Sequence, residues 1–347
     1  MHYIYLFNFN NKFSIMRRAI MLVTPLLLIV QMVVAQQDAM FTKYFFNSLA
    51  VNPAYAGSKE HMTINALHRT QWWGIEGAPT TQSLSVHSPL KNDRVGLGLS
   101  LINDEIGPTK SIAANIAYAY RIPFGKYKLS IGLQGGITTW RADWNQLTIH
   151  DQDDYSFNEA NPSFILPNFG VGLYFSNKYW YIGLGAPRMV EYDLKVNPDE
   201  VTPFYAKQYR HYYGAIGAAI PLKGNSLIFK PSLLVKNVGL DSKFRKDPSF
   251  QNVGAPTEFN IDLSMFFYET LWLGTSFRSA VEILNGKSTY DSVDLWAAFY
   301  LRNGLRIGAA YDYTLTQLQQ PAGGSFEVML GYEFDFKVNK TVTPRYF

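Results

Sequence analysis

From about residue 60 onward the chain is organised by alternation. Fourteen runs carry it, roughly 60–70, 80–88, 94–103, 110–121, 127–141, 167–176, 178–186, 208–220, 225–237, 257–267, 270–280, 291–300, 303–314 and 324–336. Val95, Leu97, Leu99 and Leu101 alternate with Gly96, Gly98 and Ser100, and Phe259, Ile261, Leu263, Met265 and Phe267 alternate with Glu258, Asn260, Asp262 and Ser264. Leu305, Ile307, Ala309, Tyr311 and Tyr313 oppose Arg306, Gly308 and Asp312 in the same way. A period of two marks a strand with two unlike faces. Most runs reach the about 9–11 residues of a tilted membrane-crossing strand and exceed the roughly 5–6 of an ordinary globular strand.

The connections give an independent sign. Short ones (Lys91-Asn92-Asp93, Pro123-Phe124-Gly125, Asn177, Lys223-Gly224-Asn225, Glu269 and Arg302-Asn303) alternate with longer ones near 71–79, 104–109, 142–166, 187–207, 238–256, 281–290 and 315–323. Short turns on one rim, long loops on the other and an even strand number are the pattern of a bacterial outer-membrane barrel. The expected fold is all-β, a transmembrane outer-membrane β-barrel of about 14 antiparallel strands with a short N-terminal periplasmic segment and both termini on the short-turn side. A soluble β-sandwich would need a strongly polar second face, whereas here that face reads largely Gly, Ala and Ser. A lumen poor in charge is therefore expected. Trp72, Trp73, Trp140, Trp144, Tyr179, Trp180, Tyr181, Tyr209, Tyr212, Tyr213, Phe266, Phe267, Tyr268 and Trp272 lie near strand ends and read as interfacial girdles.

The N-terminus reads as an export signal. Arg17 and Arg18 precede an apolar run from Ala19 to Ala35, with small residues Val33-Val34-Ala35 before Gln36. Met16 is an alternative start. The implied layout is a signal peptide over 1–35, a periplasmic or plug segment over 36–59, a barrel over 60–336 and a periplasmic tail over 337–347. The formal charge of +4 comes mainly from the signal: removing Lys12, Arg17 and Arg18 leaves 28 basic against 27 acidic residues. Nucleic acid is accordingly not an expected partner. The chain has no cysteine, which excludes disulfide scaffolds, cysteine-ligated metals and thiol nucleophiles.

Catalytic and cofactor chemistry finds no local motif. If His68 and His87 were neighbours across the first hairpin, with Ser83 or Ser85 nearby, they would form the one arrangement to weigh as a hydrolase dyad, against the commoner reading of polar lumen or rim residues. Asp151, Asp153 and Asp154, with Glu159, are oxygen donors in the longest loop but lack the spacing of a calcium loop. Gly96-Leu97-Gly98 and Gly170-Val171-Gly172 continue the strand alternation as small wall residues. No cofactor, metal or enzymatic activity is expected. A passive small-solute channel is the alternative function.

Two blocks outside the alternation are more distinctive. One is Gln36-Gln37-Asp38-Ala39-Met40-Phe41-Thr42-Lys43-Tyr44-Phe45-Phe46-Asn47 followed by Asn52-Pro53-Ala54-Tyr55-Ala56-Gly57-Ser58; the other is Thr343-Pro344-Arg345-Tyr346-Phe347. Gly331, Phe334 and Phe336 add a Gly-x-x-aromatic-x-aromatic pattern like the terminal-strand signal of outer-membrane barrels, although Lys337 to Phe347 continue beyond it. With the barrel pattern between them, these blocks resemble the PorP/SprF family of outer-membrane proteins of the type IX secretion system. The resemblance implies a non-enzymatic barrel embedded in outer-membrane lipid. It also implies partners: periplasmic ring components of the secretion machinery, or the C-terminal sorting domain of a secreted adhesin, gliding-motility protein or protease held at the cell surface. Tyr44, Phe45, Phe46, Asn52, Pro53, Tyr55, Gly57, Pro344, Arg345, Tyr346 and Phe347 are the expected partner-contact residues. The first seven belong to a segment too apolar for a free tail, expected to fold against or into the periplasmic mouth.

Overall fold

The computed structural model describes residues 41–59, 61–90, 93–143, 161–194, 207–239, 257–282 and 287–334. Fourteen antiparallel strands form one closed barrel. They are β1 (Met62–Thr70), β2 (Thr80–Pro89), β3 (Val95–Ile106), β4 (Thr109–Phe124), β5 (Tyr127–Ala142), β6 (Ser163–Ser176) and β7 (Trp180–Arg188), followed by β8 (His211–Ala218, resuming as Ile220–Pro221). Then come β9 (Leu227–Phe229, resuming as Ser232–Val238), β10 (Thr257–Phe267), β11 (Leu271–Glu282), β12 (Lys287–Tyr300), β13 (Leu305–Thr314) and β14 (Ser325–Phe334). Each pairs with its neighbours in sequence, and β1 closes the ring on β14 from Met62↔Phe334 to Thr70↔Phe326. Tyr192–Asp193 and Lys207–Gln208 form a separate two-stranded sheet, and the Tyr192 hydroxyl donates to Pro167 O of the wall. No helix among the described residues is long and apolar enough to cross a membrane; the strands do so.

Parity sets the faces. Ile116 is 66% exposed and its neighbour Ala117 2%. Leu99, Leu133, Leu173, Leu184, Leu263 and Val328 also point outward on their strands. Such an apolar belt is unfavourable against water and favourable against hydrocarbon. Ring closure pairs every wall strand on both sides, which hydrocarbon requires because it offers backbone amides no partner.

The wall departs from the expected strand limits in several places: the strands expected over 167–176 and 291–300 begin at Ser163 and Lys287, and three further departures have a local cause. The connection expected over 104–109 is only the Gly107-Pro108 turn, because Asp104 and Glu105 remain in register with Ser111 and Lys110. The expected strand 208–220 breaks where Ala219 N turns to donate to Tyr179 O at 2.7 Å. The strand 225–237 breaks at Pro231, which has no N–H to give, while Lys230 N still donates to Ser264 O at 2.8 Å.

Two expectations about the faces are overturned. Trp140, Tyr181, Tyr213, Phe266 and Trp272 are buried inside the barrel, whereas Trp73, Tyr179 and Tyr268 are exposed. The strand-end aromatics are thus divided between lumen and girdle. The lumen is also rich in charge: Arg69, Asp262, Arg278, Asp294, Asp312 and Glu327 all face inward and are buried.

Candidate functional site

Residues 41–57 lie inside the barrel. Gly57, at φ +65°, fits against the Gly96 backbone beside the β2–β3 turn, where a Cβ on Gly57 would stand 2.7 Å from Gly96 Cα. Toward its N-terminus the segment climbs the lumen. Thr42 N donates to Glu327 Oε2 at 2.7 Å and Thr42 Oγ1 to Asp312 Oδ2 at 2.8 Å. Asp312 pairs with Ser325, the first residue of β14, so this contact sits near the long-loop rim. The described segment therefore runs from the short-turn rim almost to the opposite one, deeper than the mouth at which it was expected to stop.

Its local conformation follows from its residues. Tyr44–Phe46 and Pro53–Tyr55 are single 3-10 turns flanking the one-turn helix α1 (Ser48–Val51). Pro53 opens the second turn with its φ already set. Asn52 caps that turn by accepting from Ala54 N at 2.9 Å, and its amide donates to Leu173 O of β6 at 2.9 Å. Opposite it, the wall is cut away. A Cβ on Gly132 would lie 2.1 Å from Ala54 N, and one on Gly96 would lie 2.0 Å from Ala56 O. These glycines let segment and wall backbones approach as no other residue would. Arg121 NH1 completes the lower anchorage by donating to Gly57 O.

The upper anchorage is ionic. Direct strand pairing lines up Ser232, Asp262, Ser276, Asp294, Asp312 and Ser325 across β9 to β14. The Lys43 ammonium reaches into this row, 3.2 Å from Asp262 Oδ1 and 3.2 Å from Asp294 Oδ2, and donates to Ser276 Oγ. Ser276 in turn donates to Asp262. Arg69 NH1 lies 2.7 Å from Asp312 Oδ2, and Arg278 NH2 lies 3.8 Å from Asp294 Oδ2. Lys43 N donates to Glu327 Oε1 at 3.1 Å. Buried charges persist only when paired and hydrogen-bonded, and here Lys43 of the segment supplies one of the three cations that face five carboxylates, the fifth being Asp291, 3.5 Å from Arg278 NH1.

Aromatic rings fill the space between. Phe45 packs on Trp272 and Trp296 with centroids 4.8 and 5.0 Å away, and Phe46 lies 5.7 Å from Trp272. The Tyr44 and Tyr181 hydroxyls meet at 2.9 Å, while Tyr55 meets Tyr174 edge-on at 5.5 Å. Tyr44, Phe46, Asn52, Pro53, Tyr55 and Gly57 are buried, and Phe45 is partly so. Of the expected contact residues, these seven are brought together, against the chain's own wall. Pro344, Arg345, Tyr346 and Phe347 lie outside the described residues, as do the acidic loop Asp151, Asp153 and Asp154 and the export signal. Lys43 and its acidic partners were not singled out from the sequence; the signal was an isolated lysine in an apolar segment and carboxylates at inward parity.

The hydrolase arrangement does not form. His68 pairs with Gln82 and points outward; His87 pairs with Thr63 and is buried in the lumen, so the two imidazoles are on opposite faces of the sheet. Among the described residues no group of three or more His, Asp or Glu side chains is arranged to hold a metal ion.

A fourteen-strand barrel with an apolar exterior and its own N-terminal segment in the lumen defines an outer-membrane barrel protein. The chain belongs to the family of type IX secretion system membrane proteins PorP/SprF, whose profile matches residues 33–332. No functionally curated protein matches it. Among solved structures it resembles the Acinetobacter baumannii outer membrane protein Omp33, at 8% identity over 80% of this chain and 100% of that one, with a TM-score of 0.43. It also resembles a Pseudomonas aeruginosa FadL homologue, at 12% identity over 82% of this chain and 93% of that one, with a TM-score of 0.44. A mutant Rh. blastica porin matches at 8% identity over 79% of this chain and 100% of that one, with a TM-score of 0.33.

Proposed function

We propose that this barrel is a non-enzymatic docking component of the type IX secretion system, with its short turns toward the periplasm and its long loops outside. In this reading residues 1–35 are removed on export, 36–59 form the lumen segment and 337–347 a periplasmic tail. The partner is a periplasmic ring component or the C-terminal sorting domain of a surface-bound cargo. Family membership supports the secretion role. The observation that carries docking over solute passage is the N-terminal segment itself, held in the lumen at both ends, by Arg121 below and by Lys43 and Thr42 above. Tyr55 and Gly57, though buried, lie toward the short-turn mouth, where the partly exposed Ser58 and Lys59 continue the segment, while the more deeply placed Tyr44 and Phe46 support it from within.

The test is crosslinking in the native outer membrane, gentle detergent extraction of the tagged protein and mass spectrometry of the co-purifying chains. Recovery of ring components or of a protein with a C-terminal sorting domain is expected. Recovery of the barrel alone, together with steady conductance in a bilayer, would replace docking with the channel reading.

A further inference from the structure

Between the N-terminal segment and the wall, in the short-turn half of the lumen, lies a cavity of about 60 Å³. Lys59, Lys230 and Arg306 line it, with the aromatic faces of Phe45, Tyr55 and Trp272, and no Asp or Glu is among its lining residues. Lys230 Nζ sits 3.7 Å above the Trp272 ring. The carboxylate next to the cavity, Glu333, lies 3.8 Å from Lys59 and 3.1 Å from Arg306. Two cations, Lys59 and Arg306, and the buried amine of Lys230 thus gather where, among the described residues, one carboxylate, Glu333, pairs with Lys59 and Arg306 from the side.

A second observation concerns hydrogen bonding. Thr63 and His87 face each other across β1 and β2 in direct register, both line the cavity and both are at most 2% exposed. Thr63 Oγ1 and His87 Nδ1 have no hydrogen-bond partner. Buried polar atoms are nearly always satisfied, so two adjacent orphans on one cavity wall describe a place for a polar group, and the positive charges of Lys59 and Arg306 beside them favour an anionic one. A volume of this size exceeds the about 10–15 Å³ that one water needs and suits a single compact oxyanion. Access is from the short-turn rim, where Lys59, His61 and Glu333 are partly exposed.

We infer that this cavity binds an anionic group, a carboxylate or a phosphate, through Lys230, Arg306 and Thr63. The inference rests on the cavity and is independent of the secretion role. It is tested on the full-length protein in a non-ionic detergent by isothermal titration calorimetry at low ionic strength, with inorganic phosphate, with acetate and with neutral acetamide. Saturable binding of at least one anion, none of acetamide, and an at least tenfold loss of affinity in Lys230→Met and in Thr63→Val are expected. Heat-modifiable migration in gel electrophoresis confirms that each variant is folded, and Thr63→Val, being isosteric, keeps the test open if Lys230→Met does not fold. Preference for phosphate assigns the site to free phosphate or a lipid headgroup; preference for acetate assigns it to an organic acid or a chain terminus. Absence of saturable binding by either anion, equal binding of acetamide, or unchanged affinity in the folded variants overturns the inference.

Discussion

Lys43 Nζ stands 3.2 Å from Asp294 Oδ2, joining residues 251 positions apart. Neither side chain has access to solvent. The pair ties a segment that precedes the first strand to the inner wall of β12, and it makes occupancy of the lumen part of the barrel's electrostatics. Without Lys43 the carboxylates of Asp262 and Asp294 would face each other across Ser276, with Arg278 still 3.8 Å from Asp294.

Replacing Lys43 with Met keeps most of the volume and removes the charge. Breaking a buried pair by deleting one partner costs about 3–5 kcal/mol. Lys43→Met should lower the unfolding midpoint in detergent and expose residues 41–57 to added protease. Restoring much of the loss with Asp294→Asn in the same chain would show that the cost is the stranded charge and not lost packing.

The glycine contacts give a steric counterpart. With a Cβ on Gly132 only 2.1 Å from Ala54 N, Gly132→Val cannot coexist with the segment in place. The barrel itself should still assemble, because the added methyls point into the lumen. Limited proteolysis should then cut near Asn52 to Gly57 in the variant and not in the unsubstituted protein, with heat-modifiable migration retained.

Asn52 holds two elements at once, capping the Pro53–Tyr55 turn and donating to β6. Removal of such a cap costs about 0.5–2 kcal/mol. Asn52→Ala is expected to fall in that range in a chemical unfolding series, and Asn52→Asp, which keeps the cap but sets a buried carboxylate against Leu173 O, should not be better tolerated than Asn52→Ala.

Outside, Leu133 is 56% exposed near the middle of β5 and faces lipid. A basic residue at the bilayer midplane of a barrel costs about 2–4 kcal/mol. Leu133→Arg should slow or prevent folding into phospholipid vesicles. An arginine at a rim position such as Tyr268, in the turn after β10, should be tolerated, as measured by the folded fraction on unheated gels.

Much of the wall was legible in the sequence because a lipid-facing strand must alternate, and alternation is local. Thr257–Phe267 matches its expected limits, since Glu258, Asn260, Asp262 and Ser264 interleave with large apolar residues without interruption. The interior was less legible. Trp272 sits one residue into its strand, which looked like a girdle position. Its parity with Gly274, Ser276 and Arg278 points it inward, toward Phe45. Asp262, Asp312 and Glu327 were visible as inward residues, yet their number was outweighed by the small residues around them. Their partners Lys43 and Arg69 come from other parts of the chain, and only the closed ring brings them together. The reach of the segment into the lumen likewise depends on long-range complementarity that no local pattern encodes.

The chain's own N-terminal segment occupies the lumen, and a lumen so filled is expected to be closed to solutes. Single-channel recording in a planar lipid bilayer tests it most directly, comparing the intact protein with a variant lacking residues 41–57. The intact protein is expected to carry no steady ohmic current and the shortened one to open discrete conducting steps. Equal, stable conductance from both would contradict it, because the segment would then leave an open path through the barrel it fills.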